Sequence, residues 1–287
     1  MTGLTQPVFN VPQAIPFESP ASWLCRAALS QGTSPASFLR HFRIQPGRDV
    51  DMSLIHQDLS AMRAACGLPV SHLWFAKRVL KRLSKARVPL DEFLLHGPEQ
   101  RGLRYRYCPH CFREQETPHL RVDWRFNGVR FCMLHQCMLE DVCAVCSSPL
   151  RMPFDMAESG PSGEGTAYLR HCQTCGHDLA DVQTVDHVDM RFELTSYEAS
   201  LLRHGVAMMA ALYHDRCDIA DGGSGARFKV RLRDLWRMQM LPIRVPHLCA
   251  DLMRERIASP FASDQGGQMP AAGADESAAI NEQGTLL

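Results

Sequence analysis

The first hundred residues carry apolar side chains at helical spacing, interrupted by residues that typically start or stop helices. Ser19 or Ser22 can cap a helix that runs through Ala28. Ser34 followed by Pro35 marks the start of a second helix, because the hydroxyl accepts an unpaired N–H and proline suits the first turn. The pattern therefore predicts several short helices in this region.

A further apolar stripe at spacings of four, three and four predicts one helical face. Gly67 is placed to end this helix, and Ser71 to cap the next one. Two helices joined by a four-residue turn that contains glycine have the outline of a helix-turn-helix. The first face consists of Ile55, Leu59, Met62 and Cys66, and the second of Leu73, Ala76, Leu80 and Leu83.

The rest of the chain changes character several times. Helical spacing is lost over residues 101–190, which are rich in Cys, His and turn residues and include an exposed loop at 157–166. It returns in predicted helices at 194–214, 229–240 and 246–257, and residues 258–287 read as a disordered tail. We therefore expect a mainly α protein with four parts: a helix-turn-helix-like region 1–100, a Cys/His-rich segment 101–190, a C-terminal helical region 191–257 and the tail 258–287.

Composition makes the cysteines the unusual feature of this sequence. The chain has 287 residues and twelve cysteines. No apolar run is long enough to span a membrane, and the first twenty residues have no secretory pattern. We expect a cytoplasmic protein, and a reducing compartment disfavours disulfides.

Four short half-sites with two residues between the potential ligands account for most of these cysteines. Each C-x₂-C or C-x₂-H turn can aim two side chains at one ion, and two turns complete the tetrahedron that Zn²⁺ accepts. Two Zn²⁺ ions are therefore predicted. Pairing in chain order gives a Cys₃His zinc finger (Cys108, Cys111, Cys132, His135) and a Cys₄ zinc finger (Cys143, Cys146, Cys172, Cys175).

Several alternatives to this assignment stay open at the level of sequence. The half-sites could pair in a crossed order, form disulfides or hold an iron–sulfur cluster. Cys137 is either a substitute ligand or a spare thiol, and His171 could replace Cys172 as a ligand. Because four protein ligands leave no open position for water, we expect both zinc ions to be structural.

Motifs for catalysis are missing from the sequence. It contains no Gly-Lys pair for a P-loop, no G-x-S-x-G elbow, and no His followed two residues later by Glu as zinc deaminases require. Asp49, Asp51 and Asp58 show no specific spacing and are interpreted as solvent-facing acids. We expect the protein not to be an enzyme.

Opposed charged patches underlie the zero net charge. Lys77 to Arg130 contains thirteen Lys/Arg against six Asp/Glu. At about 100° per residue, one broad face of the helix near residue 80 is basic, with an aromatic ring in its middle. Such a face suits phosphate contacts or an acidic protein surface; alternatively it is only solvated, with the ring packed on a neighbouring helix. It consists of Trp74, Lys77, Arg78, Lys81, Arg82 and Lys85, and the helix at 229–240 presents a second basic group with Arg231, Arg233 and Arg237.

The order of several motifs over roughly residues 10–180 resembles the TniQ/TnsD family of bacterial transposon proteins. Cys-x₂-Cys pairs alone are common, but their combination with the Glu18–Leu24 run is much more specific. One departure is Gln136-Cys137, where family members often have glycine soon after Cys-x₂-His. The later matching motifs are Arg106–Cys111, Trp124-Arg125, Cys132–His135, Leu139, Cys143-x₂-Cys146 and Cys172–Leu179.

This resemblance implies a non-enzymatic adaptor for target-site selection in DNA transposition. Such proteins link target DNA, or an RNA-guided targeting complex, to an AAA+ ATPase regulator that recruits the transposase, and some dimerise. The residues themselves also fit two other hypotheses. One is a zinc-containing helix-turn-helix transcription regulator that acts through residues 55–85, and the other is a zinc hydrolase.

Overall fold

The chain is mainly helical in the part that the structure describes. A computed structural model describes residues 7–45, 47–96, 103–135, 137–150, 152, 169–182, 205, 208–214, 217–220 and 227–230. The helices are α1 (Pro20–Ser30), α2 (Pro35–His41), α3 (Val50–His56), α4 (Ser60–Ala65), α5 (Trp74–Ala86), α6 (Leu90–Phe93) and α7 (Pro109–Glu114), followed by a 3₁₀ turn (Asp123–Arg125) and the strands β1 (Cys217–Ala220) and β2 (Arg227–Val230).

The first two helices begin where the Ser-Pro pairs predict. The Ser19 hydroxyl accepts a hydrogen bond from the Ser22 amide at 3.1 Å, and the Ser34 hydroxyl accepts one from the Ser37 amide at 3.2 Å. In both helices proline occupies the first turn, where its missing N–H costs nothing. Ser19 rather than Ser22 is the cap of α1.

The stripe from Ile55 to Cys66 belongs to two helices, so the prediction of one helix was wrong. Its four side chains are all buried, but Gln57 is extended and breaks the chain between α3 and α4. The Asp58 carboxylate accepts hydrogen bonds from the Ser60 amide and hydroxyl, which favours a turn over a continuous helix. Gly67 follows α4 at φ +63°, as its predicted stop position requires.

The basic helix α5 starts at Trp74 and not after a Ser71 cap. Leu73 has a left-handed backbone at φ 56°, no side chain caps the helix, and the Ser71 carbonyl accepts the Trp74 amide at 2.8 Å. Residues 66–73 thus separate α4 from α5, where a four-residue turn was predicted. The helix-turn-helix stays a prediction, although the apolar stripe of α5 is buried as expected and packs on α3.

Among the described residues of the C-terminal part, a pair of strands overlaps one of the predicted helices. Residues 208–214 are helical, within the helix predicted at 194–214. β1 and β2 form an antiparallel pair in which Cys217 faces Val230 and Ala220 faces Arg227. The predicted helix at 229–240 was therefore wrong at Lys229 and Val230, because the alternation Arg-Phe-Lys-Val suits a strand. Arg231, Arg233 and Arg237, the predicted helix 246–257 and the tail 258–287 lie outside the described residues.

The segment before α1 ties the helices to the Cys/His-rich segment. The Ser19 amide donates to the Leu120 carbonyl at 2.9 Å, and the Val122 amide donates to the Phe17 carbonyl at 2.8 Å. The Ser22 hydroxyl accepts the Leu120 amide and donates to the Glu18 carboxylate, both at 2.9 Å. Much of the Glu18–Leu24 motif therefore forms the interface between the N-terminal helices and the Cys/His-rich segment.

A network of buried charged side chains also connects these two parts of the chain. The interpretation of Asp51 as a solvent-facing acid was wrong, because its side chain is fully buried. It accepts the Ala21 amide at 2.7 Å and Arg125 Nη1 at 3.0 Å, and the Tyr105 hydroxyl also donates to it. Arg125 bonds Asp49 as well. Burial raises the pKa of Asp51, although the Arg125 charge opposes that rise.

We expect the buried His72 to make the fold sensitive to acid. Its side chain packs edge-on against Trp23 with ring centroids 4.4 Å apart, and neither ring nitrogen has a hydrogen-bond partner among the described residues. Burial, followed by the Lys77 charge, lowers the pKa of His72 to about 3. An unfolded histidine has a pKa near 6.5, so the stability from burying neutral His72 is complete above pH 6.5 and declines as the pH falls toward 3.

We expect His72→Leu to lose less stability on acidification than the unchanged protein. The difference between pH 7.5 and pH 5 should be about 2 kcal/mol, measured as denaturant unfolding free energies at both pH values. The exposed His56 provides the control, and His56→Leu should keep the original pH dependence. Identical acid sensitivity in all three proteins would contradict the assignment to His72.

Candidate metal centres

The first half of the first centre is built by the start of α7. Cys108 is the N-cap of this helix, and its sulfur accepts the Cys111 amide at 3.4 Å. Pro109 fixes the first turn, so both thiols project from the same helix end. Cys108 and Cys111 are buried.

A tight turn supplies the other half. The Cys132 amide donates to the Cys137 carbonyl at 2.8 Å, which closes a loop around His135. The His135 Nδ1 atom lies 3.5 Å from the Cys108 sulfur, 3.3 Å from the Cys111 sulfur and 3.5 Å from the Cys132 sulfur. The Cys111 and Cys132 sulfurs are 3.6 Å apart.

The second centre repeats this kind of turn with four cysteines. The Cys143 and Cys175 sulfurs are 3.7 Å apart, and the Cys146 and Cys172 sulfurs are 3.6 Å apart. In each half-site the residue after the second cysteine is left-handed, namely Ser147 and Gly176, and its amide donates to the carbonyl of the first cysteine. The same chain geometry therefore presents both pairs of sulfurs.

These distances fit metal coordination better than disulfides. A tetrahedral ion at ~2.3 Å from sulfur and ~2.0 Å from nitrogen separates its ligand atoms by roughly 3.5–3.8 Å, whereas a disulfide needs ~2.05 Å. Within each group all four ligand atoms lie within 4.8 Å of one another, so both groups could hold a metal ion. The half-sites meet in chain order and not in the crossed order.

Cys137 lies beside the first group without joining it. Its buried sulfur is 3.5 Å from the Cys108 sulfur, yet the compact four-atom set contains His135 instead. The spare-thiol interpretation of Cys137 fits this arrangement better than ligand substitution. His171 is likewise outside the second group, which contains Cys172.

Thiol and imidazole protonation in these groups is strongly perturbed. Hydrogen bonding from Cys111 lowers the pKa of Cys108, and hydrogen bonding with Cys108 raises that of Cys111. Hydrogen bonding with Cys132 raises the pKa of His135 to about 10, while Ser148 lowers that of Cys146 to about 6. Metal uptake must displace the protons that remain, so acid opposes it.

Each group offers four candidate ligands, and an ion held by all four would have no position for a reacting water. The first group is largely buried, whereas Cys175 of the second is exposed. Such an arrangement can crosslink loops that have little core of their own. It suits a structural ion.

The predicted basic face of α5 is only partly accessible. Lys81 and Lys85 are exposed, while Trp74, Lys77 and Arg82 are half-buried. The Lys77 ammonium donates to the His72 carbonyl at 3.0 Å, and burial lowers its pKa.

Helical residues 208–214 meet this face through Tyr213. Arg78 Nε donates to the Tyr213 carbonyl at 2.8 Å, and the guanidinium lies 4.3 Å from the centre of the Tyr213 ring. Trp74 contacts the same ring edge-on with centroids 5.9 Å apart. Trp74 therefore packs against a neighbouring helix, as the alternative interpretation predicted, and is not a freely exposed ring on which a base could stack. Residue spacing within α5 gave no sign of Tyr213.

The described helices and the two closed Cys/His groups define a mainly helical protein with two candidate structural metal centres. None of the described helices has the length and apolar character needed to cross a membrane. Residues 10–139 match the model of the TniQ family, which confirms the resemblance seen in the sequence over this region and not over residues 140–180. The match includes α1 to α7 and the first Cys/His group, and it ends before Cys143. No curated protein matches the chain.

Proposed function

We propose that this protein is a non-enzymatic adaptor for target-site selection in DNA transposition. It would link target DNA, or an RNA-guided targeting complex, to an AAA+ ATPase regulator and through it to the transposase. The observation that carries the proposal is the TniQ match over residues 10–139, because this family acts in transposition-associated target selection. The closed Cys/His groups support a scaffold rather than a metal-dependent hydrolase.

In this proposal the two metal centres hold Zn²⁺ and keep the surfaces around them in place. Cys108, Cys111, Cys132 and His135 would bind one ion, and Cys143, Cys146, Cys172 and Cys175 the other. Zinc accepts both donor sets in tetrahedral geometry. Residues 1–100 would then supply contacts to DNA or to a partner, and residues 191–257 further contacts.

Association with the ATPase tests the proposal directly. Purified full-length protein should bind the AAA+ ATPase encoded beside its gene, and an unrelated AAA+ ATPase serves as the control. Specific binding to its own upstream DNA, with no association with any transposition protein, would instead favour the helix-turn-helix transcription regulator. Absence of a neighbouring ATPase or transposase gene would also count against the adaptor.

The exposed part of α5 gives the DNA arm of this test. We expect Lys81→Glu with Lys85→Glu to weaken binding to duplex DNA and to flatten its salt dependence, since each lost phosphate contact removes ~0.9 from the log–log slope. Arg40→Glu with Arg43→Glu is the matched control, because both arginines are exposed and the net charge changes equally. Equal weakening by both pairs would mean that only overall charge matters.

A further inference from the structure

One short helix delivers three of the polar groups around the first metal centre. Cys108 caps α7, Cys111 lies three residues later and Glu114 three residues after that. Residues three apart are neighbours on a helix surface, so all three lie on one broad face. The other two groups, Cys132 and His135, come from the turn that follows residue 131.

Glu114 contacts the side of His135 that faces away from the sulfurs. Its carboxylate Oε2 lies 2.8 Å from His135 Nε2, while Nδ1 of the same ring lies 3.3–3.5 Å from the three sulfurs. A neutral imidazole carries one proton. If Nδ1 is to bind a metal, the proton must be on Nε2, and this N–H can donate a hydrogen bond to the Glu114 carboxylate.

We propose that Glu114 is a positioning residue for the first metal centre, and this inference rests on the proposed metal binding. The carboxylate fixes the tautomer and the ring orientation that direct Nδ1 toward the three sulfurs. A carboxylate partner also makes the imidazole a better electron-pair donor to the metal. In sequence, the arrangement reads Cys-x₂-Cys-x₂-Glu followed by Cys-x₂-His.

The second centre provides a reference inside the same molecule. All four of its ligands are cysteines, so it has no imidazole to orient. Loss of Glu114 should therefore weaken one of the two ions and leave the other unchanged. A general loss of stability would weaken both.

The test is competition for zinc between a coloured chelator and the full chain. Glu114→Ala should lose one of two zinc ions at 10–100-fold lower chelator concentration than the unchanged protein. Glu114→Gln should fall between them, because its amide oxygen still accepts a hydrogen bond but carries no charge. Glu116→Ala is the control, since Glu116 is also exposed on the same segment.

A second background separates positioning from a merely structural role. In His135→Cys, which has no imidazole, adding Glu114→Ala should change zinc affinity no further. The inference is overturned if Glu114→Ala matches the unchanged protein, if both ions weaken equally, or if the effect persists in the His135→Cys background. Absence of bound zinc in the unchanged protein is a different result, which would refute the metal centre itself.

Discussion

Cys111→Ser is expected to remove one of the two metal ions and to cost the protein most of its stability. The Cys111 sulfur lies 3.6 Å from that of Cys132 and 3.3 Å from His135 Nδ1. Its loss would therefore leave the first group with only three candidate ligands. Structural zinc contributes about 10 kcal/mol or more in small zinc-binding folds, against a typical total stability of about 5–15 kcal/mol. Metal analysis and denaturant unfolding measure both effects.

Cysteines outside and inside the two groups provide the comparison. Cys66→Ala removes a buried thiol that belongs to neither Cys/His group and should keep both ions at a cost of about 1 kcal/mol. Cys175→Ser should release the other ion. Two ions retained in Cys111→Ser, or unfolding identical to that of Cys66→Ala, would refute a structural metal at the first centre.

Arg125→Met is expected to destabilise the protein by about 3–5 kcal/mol, because it leaves the fully buried Asp51 without its charged partner. Arg125 is itself fully buried and also bonds Asp49. Urea unfolding at neutral pH measures the loss. Adding Asp51→Asn should recover part of it, since the orphaned charge is then gone.

A partly exposed pair of the same chemistry is the control for this prediction. Arg170 and Asp178 form a bidentate ion pair, but their side chains are 29% and 32% exposed. Solvent screens such a pair, so Arg170→Met should cost less than about 1 kcal/mol. Similar losses in Arg125→Met and Arg170→Met would mean that burial of the Asp51 network does not increase its contribution to the free energy of unfolding.

Local chemistry explains why some features were predictable from sequence. In a Ser-Pro pair the serine hydroxyl accepts a backbone N–H of the first helical turn, and this contact needs no distant residue. The helices α1 and α2 therefore start at the expected residues. A Cys-x₂-Cys turn likewise presents two sulfurs together regardless of the surrounding fold. The four half-sites could therefore be predicted from residues close in sequence, whereas the structure decides between the chain-order and the crossed pairing.

Features that depend on distant residues could not be predicted in this way. Helical spacing continues from Ile55 to Cys66 across a break, because both short helices bury the same side of the chain. Asp51 looked solvent-facing, since its partners Tyr105 and Arg125 lie more than fifty residues away. The contact between Glu114 and His135 joins α7 to a turn 21 residues later, so sequence spacing does not indicate it.

The hydrogen bonds that join Phe17 and Ser19 to residues 120–122 also constrain how the protein is made. The helices α1 to α5 leave the ribosome before the chain that completes their core, including Arg125 and Trp124, has been synthesised. Asp51 remains without its arginine during that interval, so the nascent helical part is incomplete until translation reaches the first Cys/His group. Closure of the N-terminal core must therefore wait until residues 120–125 have been synthesised.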